Sequence, residues 1–321
     1  MERLTNMKSS FKHSATRIFA LAGLLLCTGA YAQTKPVTAT PVAQKKCLLW
    51  KAISGNNIVY LLGSIHLGSK NMYPLPKVIE FAYSRAKTLV VEVDIDNLDQ
   101  SAAMGFITAK GMYQGDDNLW KHVSKETADK IKKYVAKYTT PNSTPIADSL
   151  GMFKPWVASV ELAMLPMQKA GMDASLGIDK YFLDRAHAAK PPKKIEQVET
   201  ADFQLKLLSS LPDSLADEFL NFTIGEADTS KDQDSQIEKL WINGDAEELD
   251  KVISETPKDL EGIQRAMRED RNPHMTDVAE KYLKGGGPCF FVVGAAHLIG
   301  KEGVIALLKK RGYTVFQVAA E

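Results

Sequence analysis

The sequence lacks a surplus of charge, is poor in cysteine, and lacks several of the motifs that announce an enzyme. Three cysteines in 321 residues exclude a disulfide-dense scaffold and a multi-cysteine zinc framework. Forty basic residues against 39 acidic ones leave a net charge of +1. That balance is no electrostatic footprint for DNA or RNA, so no nucleic-acid partner is expected. No His-Glu-x-x-His occurs, which removes a helix-borne zinc protease site. Gly151, Gly171 and Gly177 belong to no phosphate loop, because no Gly-Lys-Ser/Thr follows any of them. Ser64 lies two residues before His66 but in no Gly-x-Ser-x-Gly elbow, which disfavours a serine hydrolase. Long polar tracts are absent too. With 45% hydrophobic residues and 8% aromatics, the chain is long enough for a substantial core in one large domain or two small ones.

What is present begins with a delivery tag. Arg3, Lys8, Lys12 and Arg17 form a basic leader, Ile18 to Ala32 is apolar or small, and Ala30-Tyr31-Ala32 is an A-x-A cleavage signal. This is the pattern of a signal peptide over residues 1–32, with a cut after Ala32. The apolar run is shorter than the roughly 20 residues a membrane span needs. An uncleaved anchor is the alternative. A lipoprotein at Cys27 is disfavoured, because Leu26 stands where a small residue belongs. The expected product is periplasmic or secreted and soluble after cleavage. Residues 33–46 read as a flexible linker and 47–321 as the folded domain. Cys47 and Cys289 remain, either as separate buried thiols or as a disulfide if their strands lie side by side.

Along that domain, Cys47 to Ile53 and Ile58 to Ile65 predict a hairpin around Ser54-Gly55-Asn56-Asn57. Pro74 to Arg85 predicts a helix and Lys87 to Val93 a strand. From about 96 to 284 the spacing is mostly helical, over Thr127 to Tyr138, Pro155 to Lys169, Ile178 to Ala189, Gln236 to Ile242 and Leu260 to Leu283. Lys193 to Val198 is a short strand candidate. After Gly285-Gly286-Gly287-Pro288, the pattern predicts strand Cys289 to Ala295, helix Glu302 to Lys310 and strand Tyr313 to Val318. Met112, Met152, Met164, Met167 and Met172 read as core filling or as the lining of an apolar groove.

The two ends of the domain echo each other. Val59-Tyr60-Leu61-Leu62-Gly63-Ser64-Ile65-His66 and Phe290-Phe291-Val292-Val293-Gly294-Ala295-Ala296-His297 are each an apolar strand ending in Gly-x-x-His, and each runs into a helix and a further strand. The fold class that follows is α/β, with a mixed central sheet built from this duplicated unit and a large inserted helical cap. Ligands in such sheets bind at strand ends. Two equivalent strands therefore aim His66 and His297 at one point. Glu92 sits inside an apolar run where the second copy has Gln317. A buried carboxylate is costly unless paired or bound to a cation. Two imidazoles and a carboxylate make a plausible shell for zinc, manganese or cobalt. His122, His187 and His274 read as surface groups.

An ordered set of motifs resembles the TraB/PrgY/GumN family: Leu61-Leu62-Gly63-Ser64-Ile65-His66-Leu67, Val91-Glu92-Val93-Asp94, Gly177-Ile178-Asp179, Val198-Glu199-Thr200 with Gln204, Asp270-Arg271-Asn272, and Val293-Gly294-Ala295-Ala296-His297. The resemblance spans about residues 47–319. It implies kinship with the metal-dependent Tiki proteases and with a wider erythromycin esterase and ChaN-like group. It also implies a site of both Gly-x-x-His motifs, Glu92 and Arg271, with Asp179 and Glu199 at acidic family positions. Asp179 stands where the family often has Glu, one methylene longer.

The expected activity is a metal-dependent hydrolase acting on a peptide or protein. His66, His297 and Glu92 would hold a divalent Mn, Co or Zn that supplies hydroxide near neutral pH. Asp179 or Glu199 would serve as general base, Arg271 would face the oxyanion, and Asn272 would hold the arginine or the substrate carbonyl. The alternatives are a metal-independent esterase-like hydrolase with a histidine base, and a non-catalytic haem- or peptide-binding protein.

Overall fold

The apolar segments on either side of Ser54 to Asn57 pair as the sequence predicts. In the computed structural model, which describes residues 45–139, 146–254 and 258–320, they form β1 (Lys46–Ser54) and β2 (Asn57–Ser64). Ser54 pairs with Asn57, leaving a two-residue turn. Gly55 has φ 56° there, a left-handed conformation that tight turns need and glycine adopts without strain. The leader of residues 1–32 and most of the linker lie outside the described residues. Lys46, the last residue of the expected linker, already pairs with Ala319.

After β2 come α1 (Lys77–Arg85) and β3 (Thr88–Val91). The chain then winds through α2 (Gln100–Lys110), α3 (Lys125–Ala136), α4 (Ile146–Leu150), α5 (Pro155–Lys169) and α6 (Ile178–Ala188) to a short β4 (Lys194–Gln197). It continues through α7 (Ala201–Ser209), α8 (Ala216–Asn243), α9 (Ala246–Ser254), α10 (Glu261–Met267) and α11 (Asn272–Lys281). It rejoins the sheet at β5 (Cys289–Gly294) and closes with α12 (Ala295–Leu298), α13 (Val304–Lys310) and β6 (Thr314–Ala319).

The fold is α/β, with one mixed sheet in the order β4-β3-β5-β2-β1-β6. β5 runs parallel to β2 and β3, β4 runs parallel to β3, and β1 is antiparallel to β2 and β6. The two Gly-x-x-His strands, β2 and β5, are therefore neighbours. From them the chain crosses to opposite sides of the sheet, to β3 and to β6. Such a divergence opens a crevice at the strands' carboxyl ends. Phe290, Phe291, Val292 and Val293 of β5 are fully buried, as expected of a strand covered on both faces. α1 and α6 pack together over this strand, with Tyr83, Phe182 and Phe290 in mutual ring contact.

Several expectations change. The strand predicted to run to Val93 ends at Val91, so Glu92 stands just past the strand and not within it. The single helix predicted over Leu260 to Leu283 is two, α10 and α11, broken at Arg268, whose φ and ψ are −123° and −72°. Pro273 explains the restart, since proline lacks the N–H that the first helical turn leaves unpaired. α8 is far longer than the predicted Gln236 to Ile242. Cys47 and Cys289 sit on β1 and β5, which β2 separates, and both are free thiols. Their strands do not lie side by side, so the disulfide alternative falls. Met164 and Met172 are core residues and Met112, Met152 and Met167 pack against the core, so the methionines fill space. No helix among the described residues is long and apolar enough to cross a membrane.

Candidate active site

Four adjacent parallel strands, β4, β3, β5 and β2, end along one rim of the sheet, and each delivers a site residue there. The chain leaving β2 carries His66. Gly63 lets the two turns meet, because a Cβ on it would lie 3.0 Å from both Cα and Cβ of Ala295. The Trp241 indole N–H donates to the Gly63 carbonyl at 2.7 Å and holds this turn from behind. Glu92 follows β3, its N–H bonded to the Val292 carbonyl at 3.1 Å. Glu199 follows β4, its N–H bonded to the Glu92 carbonyl at 2.9 Å. His297 lies on α12 directly after β5.

Each imidazole is pinned at Nδ1. His66 Nδ1 is 2.9 Å from Asp179 Oδ1. Asp179 is placed by the start of α6, where the Ile178 N–H bonds the Ile65 carbonyl at 3.0 Å. Gly177 permits that approach, since a Cβ there would come within 2.4 Å of the His66 carbonyl oxygen. His297 Nδ1 is 2.8 Å from Asn272 Oδ1. The Asn272 amide donates to the Glu302 carbonyl at 2.8 Å, which leaves its oxygen as the acceptor. His297 is thereby a donor at Nδ1, with its lone pair on Nε2.

The two Nε2 atoms are buried, and neither has a hydrogen-bond partner among the described residues. They face the same carboxylate: His66 Nε2 is 4.0 Å from Glu92 Oε2, and His297 Nε2 is 3.9 Å from Glu92 Oε1. Glu92 is itself tied down. Its Oε1 accepts from Arg271 at 2.5 Å and Gln204 at 2.8 Å, and its Oε2 accepts from the Gly294 N–H at 3.1 Å. Arg271 forks onto Glu199 through Nε at 2.9 Å and Nη2 at 2.5 Å, and Nη1 donates to the Met267 carbonyl at 2.7 Å. Gln204 also reaches Glu199 at 3.1 Å.

Charge follows from these contacts. Burial works against the charge on His66, but Asp179 and Glu92 outweigh it and raise its pKa to about 9. Burial and the Arg271 guanidinium push His297 down to about 3. One imidazole is thus charged and the other neutral at pH 7. Burial also opposes ionisation of Glu92, yet Arg271 and the two imidazoles hold it well below the usual carboxylate range. Arg271 holds its proton more tightly than a free arginine, despite burial, because Glu92 and Glu199 surround it.

All seven residues singled out in the sequence converge, but some take other places than expected. Arg271 spends its hydrogen bonds on Glu92, Glu199 and Met267, so it clamps two carboxylates where an oxyanion donor was expected. Glu199 is bound by Arg271 and Gln204, and Asp179 by His66, so each positions a neighbour. Asn272 holds His297. Gln204, flagged only as part of a motif, is a buried link between Glu92 and Glu199; its place on the inner face of α7 was the available signal. The Gly294 N–H gave no signal, because a backbone donor is silent in sequence. Gln317, the counterpart of Glu92, lies elsewhere, donating to the Cys47 and Gly244 carbonyls at 2.9 and 2.7 Å. His122 pairs with Asp117 and stacks on Tyr113, His187 is 3.7 Å from Asp96, and His274 bonds the Val198 carbonyl.

A family model matches residues 48–317, nearly the whole described chain. The chain belongs to the TraB/PrgY/gumN family. This member is similar to the uncharacterized protein YbaP of Escherichia coli strain K12, at 27% identity over 268 residues, covering 81% of this chain and 92% of YbaP. It is equally similar to YbaP of Shigella flexneri, at 27% identity over the same shares. No solved structure matches the chain. The matched span takes in both Gly-x-x-His motifs and every residue of the site.

The donor set can be tested against a divalent cation. Imidazole nitrogens and a carboxylate suit zinc, manganese or cobalt. Each imidazole has the outer hydrogen bond that metal-ligating histidines usually keep, here donated from Nδ1 to Asp179 and to Asn272. With both imidazoles neutral, three carboxylates against one guanidinium leave two formal negative charges, which a dication cancels. The separations are wide: tetrahedral donors at 2.0–2.1 Å from zinc stand about 3.3 Å apart, against 3.9 and 4.0 Å here. Among the described residues no three His, Cys, Asp or Glu side chains are already grouped as a metal cage. The donor types suit a divalent cation, while their separations are wider than a bound ion would set.

Proposed function

We propose that this protein is a hydrolase, exported and acting on a peptide or protein, whose centre is a divalent metal held by His66 and His297 beside Glu92. One observation carries the reading. Two buried imidazoles, each fixed at Nδ1, turn unpartnered Nε2 atoms toward opposite oxygens of one carboxylate. Leaving buried polar atoms unpaired costs about 1–3 kcal/mol each, and two such atoms converging on one buried carboxylate support a functional centre.

In this reading Asp179 and Asn272 fix the two rings with Nδ1 protonated, so both Nε2 lone pairs would be available to hold the cation. His66 would have to give up its proton to ligate a cation, so uptake would depend on pH. Bound metal supplies a Lewis acid and hydroxide near neutral pH. Glu92, held ionised by Arg271 and bonded by Gln204 and the Gly294 N–H, keeps one lone-pair site, on Oε2, for the reacting centre, as ligand or proton acceptor. Glu199 balances Arg271, so the guanidinium does not neutralise Glu92 outright.

His297 favours a second reading. Its Nδ1–H is held by Asn272 and its unpartnered Nε2 lone pair is free to accept a hydrogen bond or proton from a bound water without any metal. One measurement separates the two. The chain without residues 1–32, purified without a polyhistidine tag, is assayed by elemental analysis before and after chelation. The metal reading expects near one Mn, Co or Zn per chain, lost in His66→Ala and His297→Ala. No metal as purified and no uptake of those ions would overturn it and leave the histidine base in front.

A further inference from the structure

Ser64 Oγ, like the Nε2 atoms of His66 and His297, is one of several buried side-chain polar atoms with no hydrogen-bond partner among the described residues. Ser64 is 3% exposed, and leaving a hydroxyl so buried and unpaired is unfavourable. The turn itself does not need it, because Ala295 occupies the matching place in the second Gly-x-x-His.

The sheet fixes which way Ser64 points. It is the last residue of β2 and pairs in register with Gly294 of β5. Registered residues on parallel neighbours project from the same face. A Cβ on Gly294 would lie 3.4 Å from His66 Nε2, 3.5 Å from Glu92 Oε2 and 3.6 Å from His297 Cδ2. Ser64 therefore projects to the face that holds both imidazoles, one strand away. Gly63, the residue before it, projects to the other face, against Ala295 and the Leu48 carbonyl.

We propose that Ser64 is a binding residue of the site, its hydroxyl hydrogen-bonded to the oxygen atom, of water or of substrate, that would sit beside the cation held by the Nε2 atoms of His66 and His297. The proposal rests on the metal hydrolase reading and adds a residue to it. Ser64 is no nucleophile here, since no base is hydrogen-bonded to its Oγ.

The test uses Ser64→Thr and Ser64→Val, which have the same shape and differ in the hydroxyl, together with Ser64→Ala. Each protein is titrated with Co²⁺ alone, and the visible spectrum and affinity are recorded. Ser64→Thr is expected to keep the wild-type spectrum. Ser64→Val and Ser64→Ala are expected to change it and to bind Co²⁺ three- to tenfold more weakly. Spectra and affinities unchanged in the Ala and Val variants would overturn the Ser64 proposal while leaving the metal reading standing. A wild-type protein that takes up no Co²⁺ would overturn the metal reading, and this proposal with it.

Discussion

His66 and Asp179, 113 positions apart in the chain, share a hydrogen bond of 2.9 Å between Nδ1 and Oδ1. The pair fixes a ring orientation and makes His66 a charged group in the metal-free protein. Because His66 rises from 6.5 to about 9 on folding, its contribution to stability is full below about pH 6.5. It is lost as pH climbs to about 9. Asp179→Asn is expected to bring the His66 pKa back down and to flatten stability over that window. NMR titration of the His66 ring and urea midpoints at pH 6 and 9 check this. A midpoint difference between the two pH values equal to that of wild type would refute it.

His297 carries the opposite sign. Its pKa falls from 6.5 to about 3, so the folded protein loses stability as pH drops from about 6.5 toward 3, where the unfolded chain binds a proton that the native ring refuses. Asn272→Asp keeps an acceptor for Nδ1 and adds a negative charge. It is expected to raise the His297 pKa, measured by the same titration. Asn272→Leu strands Nδ1 and is expected to cost about 1–3 kcal/mol.

Arg271 binds Glu92 and Glu199 at 4% exposure. Arg271→Met leaves two buried carboxylates without their cation, a loss of about 3–5 kcal/mol in chemical denaturation near neutral pH. The gap from wild type is expected to shrink as pH falls through the carboxylate range, because protonation relieves the repulsion. Arg271→Lys is expected to rescue little, since an ammonium does not reproduce the fork onto Glu199.

Two glycines separate fold from function. A Cβ on Gly177 would press to 2.4 Å on the His66 carbonyl oxygen, so Gly177→Ala is expected to cost about 1–3 kcal/mol in stability. A Cβ on Gly294 meets only ordinary contacts of 3.4–3.6 Å, all with site atoms. Gly294→Ala is therefore expected to melt within a few degrees of wild type yet bind Co²⁺ at least tenfold more weakly. Calorimetry and a Co²⁺ titration on the two variants read both effects.

Cys47 and Cys289 are separate buried thiols, with burial pushing Cys47 up to about 11 and Cys289 higher still. In the chain without residues 1–32, a thiol reagent at pH 7 is expected to react slowly with the folded protein and with two thiols once it is unfolded. Reducing agent should leave the melting temperature unchanged.

The strands β1, β2, β5 and β6, the duplicated Gly-x-x-His and the candidacy of Glu92 were legible in sequence, because apolar period and turn chemistry are local signals. The long α8 and the break between α10 and α11 were less legible, since tertiary packing overrides weak helix propensity. The family resemblance marked Arg271, Asn272, Asp179 and Glu199 as candidates, but their roles depended on which atoms they face.

The sequence by itself determined that two imidazoles leave two like strands in one α/β core. Only the tertiary structure decided that β2 and β5 are neighbours, that β3 and β4 join them on the same rim, and that their register sets Ser64 beside Gly294. It also made Arg271 a clamp, joined to Glu92 across 179 positions of chain. The physical reason is range. Periodicity acts over a few residues, whereas strand order, register and the pairing of buried charges are fixed by contacts between segments distant in sequence, where burial leaves each polar group with one set of partners.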